Sequence, residues 1–253
     1  MRSLLTIAGS DSCGGAGLQA DLKTFAAHGW YGQSVVTAVT AQSRAGVRRC
    51  DPVAIDLFRA QLLAVRDDLS VAAIKIGMLG TVEHVHVVGQ VLADWPGRPP
   101  VVLDPVIRSS SGAALLDGPG VTALATLLSQ VTVVTPNLRE ARVLSGSTPL
   151  DEWAASLDCG VLVTGGDVGG PRVRDVLFHQ GAQRCWEGPR TPGPSPHGTG
   201  CTLSAAIAAR LADGAELAQA VGHAIGAVRR LVAVSKGSGL LEHHRRDWVS
   251  GEG

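Results

Sequence analysis

PHGTGCTLSAAIAARL, from Pro196 to Leu211, is the stretch on which the reading of this chain turns. Gly198, Thr199, Gly200 and Cys201 open a helix built almost wholly of Ala, Leu and Ile. Glycines at that point let backbone N–H groups turn toward one spot, where the helix adds its own unpaired donors and the positive end of its dipole. That is a place for an anion, most naturally a phosphate. The small residues behind it predict a helix packed inside a domain. Cys201 falls in the first turn, where the same field favours a thiolate. The plainer alternative is a glycine-rich turn before a buried helix, with Cys201 as a small apolar filler.

The rest of the chain predicts what this helix packs against. Leu4 to Ala8 reads as a buried strand, and Gly9 to Gly17 as the loop that leads into a helix from Leu18 to Ala27. Val35 to Gln42 is a second strand. Asp51-Pro52 is expected to cap a helix in which Ile55, Phe58, Leu62, Val65 and Leu69 keep the helical period. A strand at Ala72 to Leu79 and a helix from Thr81 to Ala93 follow, then a strand at Val101 to Val106 that contains Asp104-Pro105. A helix from Gly120 to Gln130 comes next, then strands at Val131 to Thr135 and Val161 to Thr164. Arg172 to His179 and Gln183 to Gly188 read as a hairpin turning at Gln180-Gly181. The last long helix runs from Glu216 to Ser235, and His243 to Gly253 as a mobile tail beyond a single domain of residues 1–242. Strands alternating with helices mean an α/β domain with a mostly parallel central sheet and helices on both faces. Ligands then bind at the carboxyl ends of strands. Asp11, Gln42, Asp104, Asn137 with Glu140, and Thr164 all fall at such ends.

Composition narrows the partners. The 253 residues carry a formal net charge of zero, with 45% hydrophobic and only 4% aromatic content, so the core is aliphatic and nothing invites nucleic acid. Five cysteines without a CxxC pair read as reduced thiols. No segment approaches membrane-spanning length, so a cytoplasmic protein is expected.

Several motifs need weighing. Gly9 to Gly14 fits G-x-x-x-x-G, but no Lys-Ser/Thr follows and it is not a P-loop. Asn137 stands three residues before Glu140. On a first helical turn the pair can orient waters around Mg²⁺, or simply form a capping box. Asp104 has the same two readings. No histidine pair has zinc-ligand spacing.

Five blocks then carry a resemblance: AGSDSCGGAGLQADLKT (Ala8 to Thr24), KIGML (Lys75 to Leu79), LDPV (Leu103 to Val106), TPNLREA (Thr135 to Ala141) and HGTGCTLSAA (His197 to Ala206). In these the chain resembles the hydroxymethylpyrimidine kinase/phosphomethylpyrimidine kinase family of thiamine biosynthesis, within the ribokinase-like superfamily. The resemblance implies a ribokinase-like fold and ATP-dependent phosphorylation of 4-amino-5-hydroxymethyl-2-methylpyrimidine, followed in many members by a second transfer to the monophosphate. It implies that Asp21, Gln42 and Met78 contact the pyrimidine, with Gly9 and Val106 lining the pocket. Gly198, Thr199 and Gly200 become the anion hole, and Cys201 takes the proton from the acceptor hydroxyl. Asp104, Asn137 and Glu140 hold Mg²⁺ and its waters on the ATP phosphates, with Asp104 and Glu140 reaching the metal through water. Thr164 stands where many members have a phosphate-binding lysine, and Asp167 where a histidine is usual. The resemblance also implies a homodimer. The adenine side is assigned to Lys236-Gly-Ser-Gly239 and the helix before it.

Three other functions fit parts of this pattern. A pyridoxal kinase of the same fold shares the anion hole. A cysteine-nucleophile enzyme built on Cys201 and His197 needs no ATP. A non-catalytic pyrimidine sensor keeps only the pocket.

Overall fold

The computed structural model describes residues 1–109, 112–193, 196–235, 239–245 and 247–249. Its first half comprises β1 (Arg2–Asp11), α1 (Gly17–Ala27), β2 (Tyr31–Ser43), β3 (Gly46–Pro52), α2 (Ile55–Asp68), β4 (Ser70–Ile76), α3 (Val82–Ala93) and β5 (Val101–Leu103). The second half comprises α4 (Gly118–Leu127), β6 (Val133–Val134), α5 (Leu138–Ser145), α6 (Leu150–Ala155), β7 (Gly160–Val163), β8 (Arg172–His179), β9 (Ala182–Pro189), α7 (Thr199–Ala212) and α8 (Leu217–Val234).

One nine-stranded sheet runs β3-β2-β1-β4-β5-β6-β7-β8-β9. Neighbours from β2 to β7 are parallel, while β3, β8 and β9 join antiparallel at the two edges. The expected α/β sheet with helices on both faces is therefore present. Side chains alternate along each strand, which divides the core into two layers. Leu5, Ile7, Ile74, Ile76, Leu103 and Val134 meet α2 to α6 on one face. Leu4, Ala73, Val102, Val133 and Leu162 meet α1, α7 and α8 on the other. Ala205, Ala206, Ala208 and Ala209 of α7 are fully buried. Their small size lets this helix lie close against the sheet, which fixes its N-terminus beside the ends of β1, β4 and β5. The hairpin turn falls at Gln180-Gly181 as expected, with φ of 50° and 73° suited to a two-residue turn.

The structure corrects several expectations. Asp51 and Pro52 do not cap α2. They end β3, paired with Val39 and Ala38, and α2 starts at Ile55 with no side-chain cap. Proline is tolerated there because β3 is an edge strand. Leu69 lies just past α2, so only Phe58 and Leu62 of its apolar series are fully buried. β3 and the short α6 have no counterpart in the sequence reading. β4 ends at Ile76, leaving Met78 in the loop after it. β5 ends at Leu103, so Asp104 and Val106 stand in the turn beyond the sheet.

The segment from His243 onward, expected to be mobile, is packed where it is described. His243 and Trp248 are 5% and 1% exposed, and Trp248 joins Leu231 and Leu241 in a small apolar cluster against α8. Arg230 donates to the Trp248 carbonyl at 3.0 Å. The sequence reading underrated a single Trp as an anchor for a short polar segment. The expectation for Lys236 to Ser238 lies outside the described residues.

His243 lies 2.9 Å from the hydroxyl of Thr202, in the first turn of α7. Burial, with help from Lys23, holds the His243 imidazole at about 4, below its ordinary 6.5. The folded protein thus takes up this proton less readily than the unfolded chain. The stability tied to it is complete above about pH 6.5 and is lost as the pH falls toward 4. Replacing it with a neutral group, His243→Gln, should reduce the loss of stability between pH 7 and 4.5 by roughly 1–3 kcal/mol, measured by denaturant unfolding at the two pH values.

Candidate active site

The carboxyl ends of β1 and β4 hold a buried ion pair. Asp21, from the second turn of α1, accepts from Thr6 Oγ1 at 2.6 Å and from Lys75 Nζ at 2.9 Å, both on Oδ2. The Asp21 and Lys75 side chains are 0% and 1% exposed. Burial works against the Lys75 ammonium, but Asp21, Cys201 and Asp104 around it outweigh that and raise its pKa. The other carboxylate oxygen, Asp21 Oδ1, is buried and has no hydrogen-bond partner. An acceptor left open beside a satisfied ion pair is a place for a ligand donor.

α7 brings Cys201 to the same spot. The Gly17 N–H donates to its sulfur, and Asp104 and Asp21 lie close enough to repel a thiolate. Here the sequence expectation fails. Burial pushes the Cys201 thiol up to about 12; Lys75 and the Gly17 amide oppose this, while Asp104 and Asp21 add to it. The field at a helix N-terminus favours a thiolate only where solvent or cations dominate the rest of the surroundings. In the free protein Cys201 is a thiol.

Two glycine contacts fix the turn before α7. Gly198 has φ +85°, and a Cβ there would collide with the Gly15 carbonyl. Gly17 has φ +54°, and a Cβ would strike the carbonyl of Gly9. Only glycine fits at either position. The loop from Gly9 to Gly17 and the turn from His197 to Gly200 are consequently pressed together, and Gly200 is exposed at the mouth. Asp11 ties the first loop from within. Its carboxylate accepts from the amides of Cys13, Gly15 and Ala16 at 2.8–3.0 Å and faces His197 Nε2 at 3.2 Å. Burial acts against it, yet His197 and these amides hold the Asp11 carboxyl below its usual range.

The other expected substrate residues are spread around this centre. Gly9 lies against the flexible end of the Met78 side chain, which a Cβ would have to push aside. Gln42 stands at the end of β2, with its amide 2.8 Å from His197 Nε2 and its backbone N–H on Ser12 Oγ. Val106 is half-buried one turn past Asp104, its N–H on the Asp104 carbonyl. Among the described residues the Asp21 carboxylate is bonded to Thr6 and Lys75 and to neither Gln42 nor Val106.

On the neighbouring strand ends, Asn137 caps α5, accepting from Arg139 and Glu140, while Glu140 reaches back to the Asn137 amide at 3.0 Å. The capping box is formed. Burial and the nearby Asp104 push Glu140 up to about 8. Burial likewise raises Asp104, whose Oδ2 accepts from Ser204 of α7 at 3.3 Å. A buried carboxyl whose proton affinity is raised by a second one nearby makes a site that a divalent cation would relieve. Mg²⁺ bound largely through water needs only one or two carboxyls. Among the described residues no cluster of three or more His, Cys, Asp or Glu could coordinate a metal directly. Thr164 bridges to Asn137 in parallel register, which sets the loop after β7 beside this pair.

Cys201, Asp21, Asp104 and Glu140 thus gather at one end of the sheet, with Asn137 and Thr164 alongside. Asp11 was among the polar strand-end groups singled out from the sequence, whereas Lys75 and Ser204 were not. Lys75 did leave a signal, since a lysine inside the apolar run AAIKI must find a buried counter-charge.

Known proteins are similar to this chain over nearly its whole length. The family model described as phosphomethylpyrimidine kinase matches residues 11–244. A hydroxymethylpyrimidine/phosphomethylpyrimidine kinase of Rhizobium meliloti is 42% identical, over 96% of this chain and 97% of that protein. Among solved structures, a phosphomethylpyrimidine kinase from Clostridium difficile 630 superposes with a TM-score of 0.76 at 34% identity, covering 88% of this chain and 96% of that one. The ADP complex of Bacillus subtilis pyridoxal kinase superposes with a TM-score of 0.83 at 35% identity, covering 94% of both chains.

The ion pair yields a direct test. Lys75→Met leaves Asp21 charged and buried, and should destabilise the fold by about 3–5 kcal/mol. The double variant Lys75→Met/Asp21→Asn removes both charges and should recover more than half of that loss in urea unfolding.

Proposed function

The chain belongs to the phosphomethylpyrimidine kinase family, and we propose that it transfers the γ-phosphoryl group of ATP to the hydroxymethyl oxygen of 4-amino-5-hydroxymethyl-2-methylpyrimidine, and then a second phosphoryl group to the monophosphate. The observation that carries this reading is the open acceptor Asp21 Oδ1, linked through the Lys75 ion pair to the surroundings of Cys201. A flat amino-pyrimidine needs a polar partner at its edge and an apolar surface at its face. Asp21 and Gln42 would supply the first; Met78, Gly9 and Val106 would line the second.

Gly198, Thr199 and Gly200 would offer N–H groups to the transferring phosphoryl group, where charge builds on its oxygens. Asp104 and Glu140, with Asn137, would hold Mg²⁺ through its waters, and the ion would supply charge neutralisation on the nucleotide phosphates. Thr164 would add a neutral hydrogen bond on the nucleotide side. Cys201 would accept the proton of the acceptor hydroxyl, which requires that the thiol first lose its own proton as the site fills. Asp104 and Asp21, which add to the effect of burial in keeping it protonated, are two of the groups that bound ligands would engage. A homodimer in the cytoplasm completes the reading, and light scattering of the purified protein tests its oligomeric part.

The likeness to a pyridoxal kinase structure supports one rival, phosphorylation of pyridoxal at the same site. ATP consumption measured separately with the pyrimidine alcohol, its monophosphate and pyridoxal decides between them. Turnover is expected with the first two and should be at least about tenfold weaker in kcat/KM with pyridoxal, the scale set by a mismatched polar edge. A preference for pyridoxal overturns the reading. Thr164→Lys should raise kcat/KM for both acceptors by roughly threefold to tenfold, with the larger gain for the monophosphate, whose own phosphate adds to those of ATP.

A further inference from the structure

The loop after β7 is bound to one side chain that no part of the reading above employs. Arg190 follows directly on β9. Its Nε donates to the Gly170 carbonyl at 2.9 Å and its Nη1 to that of Gly166 at 2.8 Å. Its Nη2 reaches the carbonyls of Gly165, at 3.5 Å, and Val168. Its own backbone N–H bonds Pro171 at 2.8 Å. Four carbonyls of one short loop are thus gathered on a single guanidinium. From the other side, the Gly165 N–H donates to Asp175 Oδ1 at 3.0 Å, and Asp175 is held in turn by Arg229 of α8 at 3.1 Å.

The position of this loop gives the clamp its meaning. It begins at Thr164, which bridges to Asn137 beside Glu140. Position 164 brings no positive charge to that region, and carbonyl oxygens left free there would repel an incoming polyphosphate. Arg190 also sits on the segment that carries the chain from β9 toward His197 and the turn at Gly198, so it joins the nucleotide side to the anion hole.

We propose that Arg190 is a positioning residue for the phosphate donor, which holds the Gly165–Gly170 loop and its carbonyls in the arrangement that admits the nucleotide phosphates beside Thr164. The inference rests on the kinase reading for where the nucleotide lies. It assigns Arg190 no contact with the pyrimidine, so its removal acts on nucleotide binding first. Lysine cannot replace it fully, because a single ammonium has three donors and lacks the planar fork that spans four carbonyls.

Calorimetric titration with ADP and Mg²⁺, and separately with the pyrimidine alcohol, tests this on the purified wild type, Arg190→Met and Arg190→Lys. Arg190→Met should weaken ADP binding by about tenfold or more and leave the pyrimidine within about twofold, with Arg190→Lys in between. Should Arg190→Met fail to fold, Arg190→Lys decides alone, with a loss of about threefold for ADP expected. Unchanged ADP affinity in a folded variant overturns the proposal, as does an equal loss for both ligands, which marks a general structural role. Because the readout is binding, it separates this inference from the kinase reading. A wild type that binds ADP through Arg190 yet consumes no ATP with the pyrimidine overturns the substrate assignment alone.

Discussion

The ion pair between Lys75 and Asp21 is the interaction on which the site depends. A lysine ammonium with 1% of its side chain exposed is tolerable only beside negative charge. Asp21 and Asp104 provide that charge from different parts of the chain, α1 and the turn after β5. Folding must bring them to one place, and the same requirement places Cys201 among them. The centre is consequently a balance of one buried cation against two carboxyls and a thiol. Burial in that centre, reinforced by Asp104 and Asp21, explains why Cys201 keeps its proton in the free protein, despite standing at the start of a helix.

A second constraint is steric. The first loop and the turn before α7 touch backbone to backbone at Gly198 and Gly15, and the first loop closes on itself at Gly17 and Gly9. Asp11 gathers the amides of that loop on one carboxylate and meets His197 across the gap. Contacts this close leave no room for a side chain, but they give the N–H groups at the start of α7 a fixed direction. The C-terminal segment adds support from behind, through His243 and Thr202. A phosphoryl-transfer site works mainly by such positioning, so rigidity in these loops serves the chemistry directly.

The outer ring of the site uses the same device with the opposite sign. Where the first loop turns its amides onto a carboxylate, the loop after β7 turns its carbonyls onto the Arg190 guanidinium. Each loop is shaped by one charged side chain that binds backbone groups of a single kind. Thr164 stands at the head of the second loop, beside Asn137, whose capping partner Glu140 feels the charge of Asp104. The charge that this chain lacks at position 164 is present one layer further out, where it acts on the loop and not on the ligand.

By itself the sequence determined the alternation of strands and helices, the parallel sheet and the family, because apolar periodicity and short glycine-rich motifs are local properties. The hairpin at Gln180-Gly181 and the capping box of Asn137 with Glu140 were legible for the same reason, since turn and cap chemistry acts over a few residues. Tertiary structure alone decided what lies far apart in sequence. It made Asp51-Pro52 the end of an edge strand instead of a helix cap, and it buried Trp248 against α8. It matched Lys75 to Asp21 and Asp104, and Arg190 to the loop after β7. It also set the protonation of Cys201, for a helix start is visible in the sequence, whereas burial and the charges of Asp21 and Asp104 act through space and exist only once the chain has folded.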